Sequence, residues 1–300
     1  MSSEPLAESF DWPRHDVPRG GRSGFVRVDG GRQVHYLEWG RSSVPPVVCL
    51  HGGGQTAYMW EELGDALRTG YHVLAPDLPG HGDSDSIDDP TMSRHVLAAS
   101  ILPFLDEFGI GRAAFVGASL GGITSLTIGA ANPEHVAAIA LVDIGHRLED
   151  EGVNRIIEFM SRHESFASLE EAAVEVAGYV PDRKRVNPEN LRRNLRQRPD
   201  GRWEWKHSLG RRLRESGRPV GGWRELTAGL DDDMRAITCP VLVLRGAKSD
   251  VLSNEAAEEA AALIPDARLA TISSAGHHAA GDNPESTVGL VRAFLHDLRW

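Results

Sequence analysis

Ser119 stands between Gly117 and Gly121, after the apolar run Phe115-Val116 and before a helix-like stretch over 123–131. A serine hydroxyl is a weak nucleophile at neutral pH; it needs an adjacent base, and the base needs a third group to orient it. Turning from strand to helix within so few residues crowds the backbone. Small residues two before and two after the serine make room and leave Oγ proud of the strand end. The N-terminal N–H groups and positive dipole end of the following helix face the same point, which suits a developing oxyanion. The pattern G-x-S-x-G is weak alone and gains meaning from this strand-to-helix setting and from partners elsewhere.

The base is expected downstream, after the last strand, where Gly276-His277-His278 follows the apolar run 268–272. His277, directly after the glycine, is the candidate; His278 points elsewhere and lines the pocket or is solvated. For the orienting acid, Asp250 lies in the loop after the strand-like run 241–244, and Asp143 at the end of the run 136–142 is its rival. Asp250 is preferred, because the order Ser119, Asp250, His277 is that of elbow-type serine enzymes. Two N–H donors must hold the oxyanion. Leu120, after the nucleophile, supplies one. The other is expected from His51-Gly52-Gly53-Gly54, with Gly53 first and Gly54 as the alternative, since consecutive glycines can turn their N–H groups to a ligand unobstructed. His51 is read as holding this loop through hydrogen bonds rather than as an acid or base.

These residues need a sheet whose strand ends lie along one edge. Runs 25–28 and 34–37 flank Asp29-Gly30-Gly31, a hairpin signal. Strand runs 47–50, 73–75, 113–116, 136–142, 241–244 and 268–272 then alternate with helical patterns over 59–67, 93–108, 255–264 and 285–298. Such alternation predicts an α/β fold: a mostly parallel eight-stranded sheet with helices on both faces. Residues 1–20 read as a mobile arm, 21–145 and 236–300 as the core, and 146–235 as a mainly helical cap inserted after the sixth strand. The cap is basic: fourteen Lys/Arg stand against four Asp/Glu between Arg183 and Arg224. Either this is a solvated face pairing with the acidic core, or a few arginines clamp an anionic substrate. Trp203 and Trp205 share a face if extended and are expected to build the cap's own small core.

Composition excludes several classes. The 300 residues are 41% hydrophobic, enough for a large core, and the net charge of −11 argues against nucleic acid as a partner. Cys49 and Cys239 lie in or beside apolar runs without metal-ligand spacing, and thirteen histidines include no H-E-x-x-H, so neither metal nor cofactor is expected. Residues 1–20 lack an apolar signal stretch and no run reaches membrane-spanning length, so a soluble, cytoplasmic protein is expected, acting on a small molecule. Oligomeric state is left open, a homodimer included.

Together, His51-Gly52-Gly53-Gly54, the segment Asp77-Leu78-Pro79-Gly80-His81-Gly82-Asp83-Ser84, Gly117-Ala118-Ser119-Leu120-Gly121, Ser249-Asp250 and Gly276-His277 resemble the α/β-hydrolase fold superfamily over nearly the whole chain. The resemblance implies an esterase- or lipase-like member with a serine triad and no cofactor. In that superfamily the 77–84 segment is a structural turn near the site mouth. Dehalogenases and epoxide hydrolases of this fold carry an aspartate where Ser119 stands, which argues against both. The expected activity is cleavage of a carboxylic ester, thioester or lactone. Carbon–carbon bond hydrolysis, perhydrolysis and slow-turnover ligand sensing are the alternatives the same motifs allow.

Overall fold

The computed structural model describes residues 17–89, 93–180, 186–211 and 223–300. Its ten strands in chain order are β1 (Arg22–Val28), β2 (Arg32–Trp39), β3 (Pro46–Leu50), β4 (His72–Pro76), β5 (Ala113–Ala118), β6 (Val136–Val142), β7 (Leu195–Gln197), β8 (Trp203–Trp205), β9 (Val241–Gly246) and β10 (Ala267–Ile272). Eight form one sheet in the order β1-β2-β4-β3-β5-β6-β9-β10. The pairs β1–β2 and β2–β4 are antiparallel and the rest are parallel, as the alternating pattern predicts.

Successive side chains on the central strands point to opposite faces, and both faces are covered, so the strands read as continuous apolar runs. On β5, Phe115 joins a cluster with Leu50, Ile139 and Val243, whereas Ala114 and Val116 join one with Cys49, Ala140 and Leu244. Fully burying Phe115 contributes about 1.5–3 kcal/mol, and Phe115→Ala would cost about 3–5 kcal/mol once the cavity is included.

Register is what brings the chemistry together. Leu50, Gly117, Leu141 and Val243 lie side by side across β3, β5, β6 and β9, and Ile272 of β10 lies beside Gly246. The loops that begin at His51, Ser119, Asp143, Ala247 and Ser273 therefore leave the sheet along one edge.

Helices α1 (Glu61–Leu67), α2 (Arg94–Ala99), α3 (Leu102–Glu107) and α4 (Leu120–Ala131) belong to the core. The single helix expected over 93–108 is two, α3 restarting after Ile101 with Pro103 in its first turn, where a missing N–H does no harm. α4 is buried on nearly every side, which is why it lacks a polar face. Residues 17–20 of the expected arm are seated: Trp39 Nε1–H donates to the Arg19 carbonyl at 2.9 Å, and the Arg19 N–H donates to Glu61 Oε1 at 2.7 Å. Residues 1–16 lie outside the described residues.

The insertion between β6 and β9 carries α5 (Asp150–Arg162) and α6 (Leu169–Tyr179), followed by the antiparallel hairpin β7–β8. The helical reading missed this hairpin, whose three-residue strands are too short for a period-2 signal. Trp203 and Trp205 pack on Phe166, Leu169, Leu191 and Leu195, forming the small separate core expected of them. The hairpin's continuation docks on the core: the Ser208 N–H donates to the Gly80 carbonyl at 2.9 Å, His207 pairs with His81, and Lys206 Nζ donates to Asp83 Oδ2 at 2.6 Å. Among the described residues, no helix is long and apolar enough to cross a membrane.

Candidate active site

Ser119 joins β5 to α4 with φ 47° and ψ −113°, a conformation that costs a non-glycine residue about 1–3 kcal/mol and persists only where its surroundings enforce it. Those surroundings are visible. The Ser119 N–H donates to the Val142 carbonyl at 3.2 Å and its carbonyl accepts from Ile123 at 3.0 Å. A Cβ on Gly117 would lie 2.4 Å from the Gly121 carbonyl oxygen, and one on Gly121 would lie 2.1 Å from that of Leu50. Both glycines are required by backbone approaching backbone.

His277 sits beyond β10, and its Nδ1 is 2.8 Å from Asp143 Oδ2. Asp143 is wholly buried and His277 is 10% exposed. The acid beside the histidine is therefore Asp143, and the preference for Asp250 is corrected. Asp143 has φ 54°, and its N–H donates to the Leu244 carbonyl at 2.7 Å, which carries the β6–β9 pairing one residue past the end of β6. Its carboxylate then reaches across β9: Oδ1 accepts the Gly246 N–H at 2.8 Å, and Oδ2 accepts the Ser249 hydroxyl at 2.5 Å as well as His277.

The loop bearing Asp250 is folded the other way. Arg245 gathers the carbonyls of Leu252, Ala247 and Ser249, and Ser249 Oγ accepts from the N–H groups of Val251 and Leu252. Ser249 thus faces the buried acid, while the Asp250 carboxylate forms an ion pair with Arg155 of α5. Chain order suits both aspartates; only the course of this loop separates them.

The loop after β3 is held on every side. His51 Nε2 accepts the Leu78 N–H at 2.9 Å, so Nδ1 carries the proton and donates to the Gly52 carbonyl at 2.8 Å. Burial lowers the His51 pKa and keeps the ring neutral, as this bonding requires. The Gly52 carbonyl also accepts the Gln55 N–H at 3.1 Å. A trans peptide directs its N–H opposite to its C=O. Anchoring the Gly52 carbonyl therefore aims the Gly53 N–H the other way. Leu120, first residue of α4, has no intrahelical acceptor for its own N–H. Gly53 and Leu120 adjoin: a Cβ on Gly53 would lie 4.0 Å from Leu120 Cδ2. Gly54, with φ 75°, takes the left-handed position of the turn.

Asp77 anchors the neighbouring turn, accepting from His35 Nδ1 at 2.7 Å, the Ala57 N–H at 2.7 Å and the Asp83 N–H at 3.0 Å. Burial alone would raise its pKa, but hydrogen bonds and His35 bring it below the usual carboxylate value. His35, Asp77 and Asp83 have the proximity of a metal site. Their ligand atoms are already committed to one another, to Ser23 and to Lys206, so the trio reads as structural.

Several side chains at the site left no mark in the sequence pattern. A Cβ on Gly53 would lie 3.3 Å from Leu209 Cδ1, and one on Gly54 would lie 2.8 Å from Met160 Sδ. The insertion thus rests on the loop after β3. His278, expected to line the pocket or to be solvated, has Nδ1 3.4 Å from Gln55 Nε2 and its ring 5.8 Å from that of Tyr179. Of the described cations in the insertion, Arg155 and Arg193 pair with Asp250 and Glu61 of the core, whereas Arg196 and Arg198 pair with Glu204 and Glu164 of the insertion itself. Residues 183–185, 212, 214 and 218 of the basic stretch lie outside the described residues.

The profile of the alpha/beta hydrolase fold family matches residues 45–284. The esterase Rv0045c of Mycobacterium tuberculosis is 29% identical over 283 residues, covering 90% of this chain and 88% of that protein. A pimeloyl-acyl-carrier-protein methyl ester esterase of Aromatoleum aromaticum is 30% identical, covering 82% of this chain and 96% of its own. An α/β hydrolase from Novosphingobium aromaticivorans superposes with a TM-score of 0.75 at 28% identity, covering 92% of this chain and 98% of that one. With the elbow, the sheet order and the matched span in agreement, the chain belongs to the α/β-hydrolase fold family of enzymes.

Proposed function

We propose that this enzyme is a serine esterase that cleaves a small carboxylic ester, thioester or lactone beneath the cap. Ser119 Oγ attacks the carbonyl carbon while His277 Nε2 takes its proton. Asp143 holds Nδ1–H, fixes the tautomer and stabilises the imidazolium. The N–H groups of Gly53 and Leu120 receive the oxyanion. His277 then protonates the departing alkoxide or thiolate, and a water, deprotonated by the same ring, releases the acid and restores Ser119.

The observation that carries this reading is the Asp143–His277 hydrogen bond of 2.8 Å at the sheet edge from which the strained Ser119 emerges. Among the described residues Ser119 Oγ makes no hydrogen bond; in serine enzymes that contact often tightens only around substrate. The esterase names of the relatives support the substrate class.

The test is Ser119→Ala assayed on short-chain p-nitrophenyl esters, together with mass spectrometry of wild type treated with a fluorophosphonate. Turnover should fall by about 10⁴–10⁶-fold, and the label should map to Ser119. Unchanged turnover would remove Ser119 from the mechanism.

A further inference from the structure

Gln55 is polar, adjoins the site and has no part in the steps above. Both ends of its amide are engaged: Oε1 accepts the Gly52 N–H at 3.1 Å and Nε2 lies 3.4 Å from His278 Nδ1. Its own N–H closes the turn onto the Gly52 carbonyl at 3.1 Å. Gln55 thus clasps Gly52 twice, with Gly53 and Gly54 between. The fit is close, since a Cβ on Gly52 would lie 2.6 Å from Gln55 Oε1.

On its far side, the His278 ring meets two others. It is 5.7 Å from that of His277 and 5.8 Å from that of Tyr179, which stacks on Phe159 at 4.2 Å. Tyr179 is on α6 and Phe159 on α5. The glycine loop and the loop bearing His277 therefore meet at the Gln55 amide, and the cap joins them one step on, through His278. Three consecutive glycines give this loop no steric resistance to peptide rotation, so its hydrogen bonds must supply the rigidity.

Resting on the serine-esterase reading, we propose that Gln55 is a positioning residue. Its side chain pins the Gly52 N–H while its backbone N–H and His51 pin the Gly52 carbonyl, so that the Gly52–Gly53 peptide cannot turn and the Gly53 N–H stays aimed at the oxyanion; through His278 it ties that aim to the seating of the cap. Gln55→Ala removes both side-chain contacts and leaves the backbone bond to the Gly52 carbonyl. Gln55→Glu keeps an acceptor for the Gly52 N–H, and its carboxylate favours a protonated His278.

Ester kinetics, inhibition by an alkyl trifluoromethyl ketone (which forms the tetrahedral adduct) and thermal melting are compared in wild type and both variants. For Gln55→Ala, kcat should fall about 10²-fold, KM should change less than about threefold, and ketone inhibition should weaken in step with kcat/KM. Gln55→Glu should recover activity to within about tenfold of wild type, with a pH profile displaced by the new carboxylate. Should Gln55→Ala melt early, Gln55→Glu decides the matter. The brace is overturned if Gln55→Ala inhibits within twofold of wild type, or if both variants lose activity equally. Wild type is first labelled with a fluorophosphonate: no label at Ser119 overturns the esterase reading and the brace with it, whereas normal labelling beside an unaffected Gln55→Ala overturns the brace alone.

Discussion

The floor and the roof of the site are built by opposite means. Floor groups are buried and bonded several times over: Asp143 accepts from Gly246, Ser249 and His277, His51 bridges Leu78 and Gly52, and Asp77 accepts from His35, Ala57 and Asp83. Across the rim the insertion is held by backbone bonds such as Ser208–Gly80 and also by ion pairs of differing exposure, from Lys206–Asp83, with the lysine 9% exposed, to Arg155–Asp250, with the arginine 56% exposed. A buried acceptor left without its donor is costly, so floor geometry is held to one arrangement. Exposed pairs are worth about 0–1 kcal/mol each and are screened by salt, so they hold the insertion less firmly than the floor is held. The two aspartates that compete in the sequence fall on either side of this division.

The largest expected effect breaks the floor. Asp143→Asn should lower kcat on an activated ester by roughly 10⁴-fold, because an amide no longer selects the useful tautomer of His277. Asp250→Asn, measured in parallel, should lower it less than about tenfold; equal losses would return Asp250 to the mechanism.

The next prediction concerns pH. Burial lowers the pKa of His51, and burial with His51 and His207 lowers that of His81 well below 6.5. Both are neutral when folded and take up a proton on unfolding below about pH 6.5. Their stabilisation is complete above that pH and is lost as the pH falls toward the folded values. Unfolding free energy from urea titrations should fall by up to ~1.4 kcal/mol per pH unit per histidine between pH 6.5 and 5. A flat profile there would mean that neither ring is held neutral.

Lys206→Met should cost about 1–3 kcal/mol in the same titrations, since it strips a charged hydrogen bond from Asp83 at a nearly buried position. Smallest of all, Arg155→Ala should cost less than about 1 kcal/mol, an effect that disappears in high salt. A larger loss would show that this part of the roof is structural.

The legible part of the molecule was that carried by local pattern. Strand-like runs of three to seven residues alternating with helical periodicity indicated the parallel sheet, and glycines flanking Ser119 indicated the elbow, because both constraints act between neighbours in the chain. His277 was legible because a glycine and a strand end precede it. The hairpin β7–β8 was not, because three-residue strands carry no period-2 signal, and neither was the seating of Arg19 on α1, which rests on a contact with a distant segment.

By itself the sequence determined the parallel α/β architecture, the sharp strand-to-helix turn at Ser119 and the order in which the candidate partners leave the sheet. All of these follow from periodicity and backbone sterics along short stretches. Only the tertiary structure set Asp143 rather than Asp250 beside His277, placed Met160 and Leu209 against Gly54 and Gly53, and joined Gln55 to His278. The reason is physical: the direction of a loop carboxylate or a cap side chain depends on which distant donors are desolvated beside it, and no spacing along the chain encodes that.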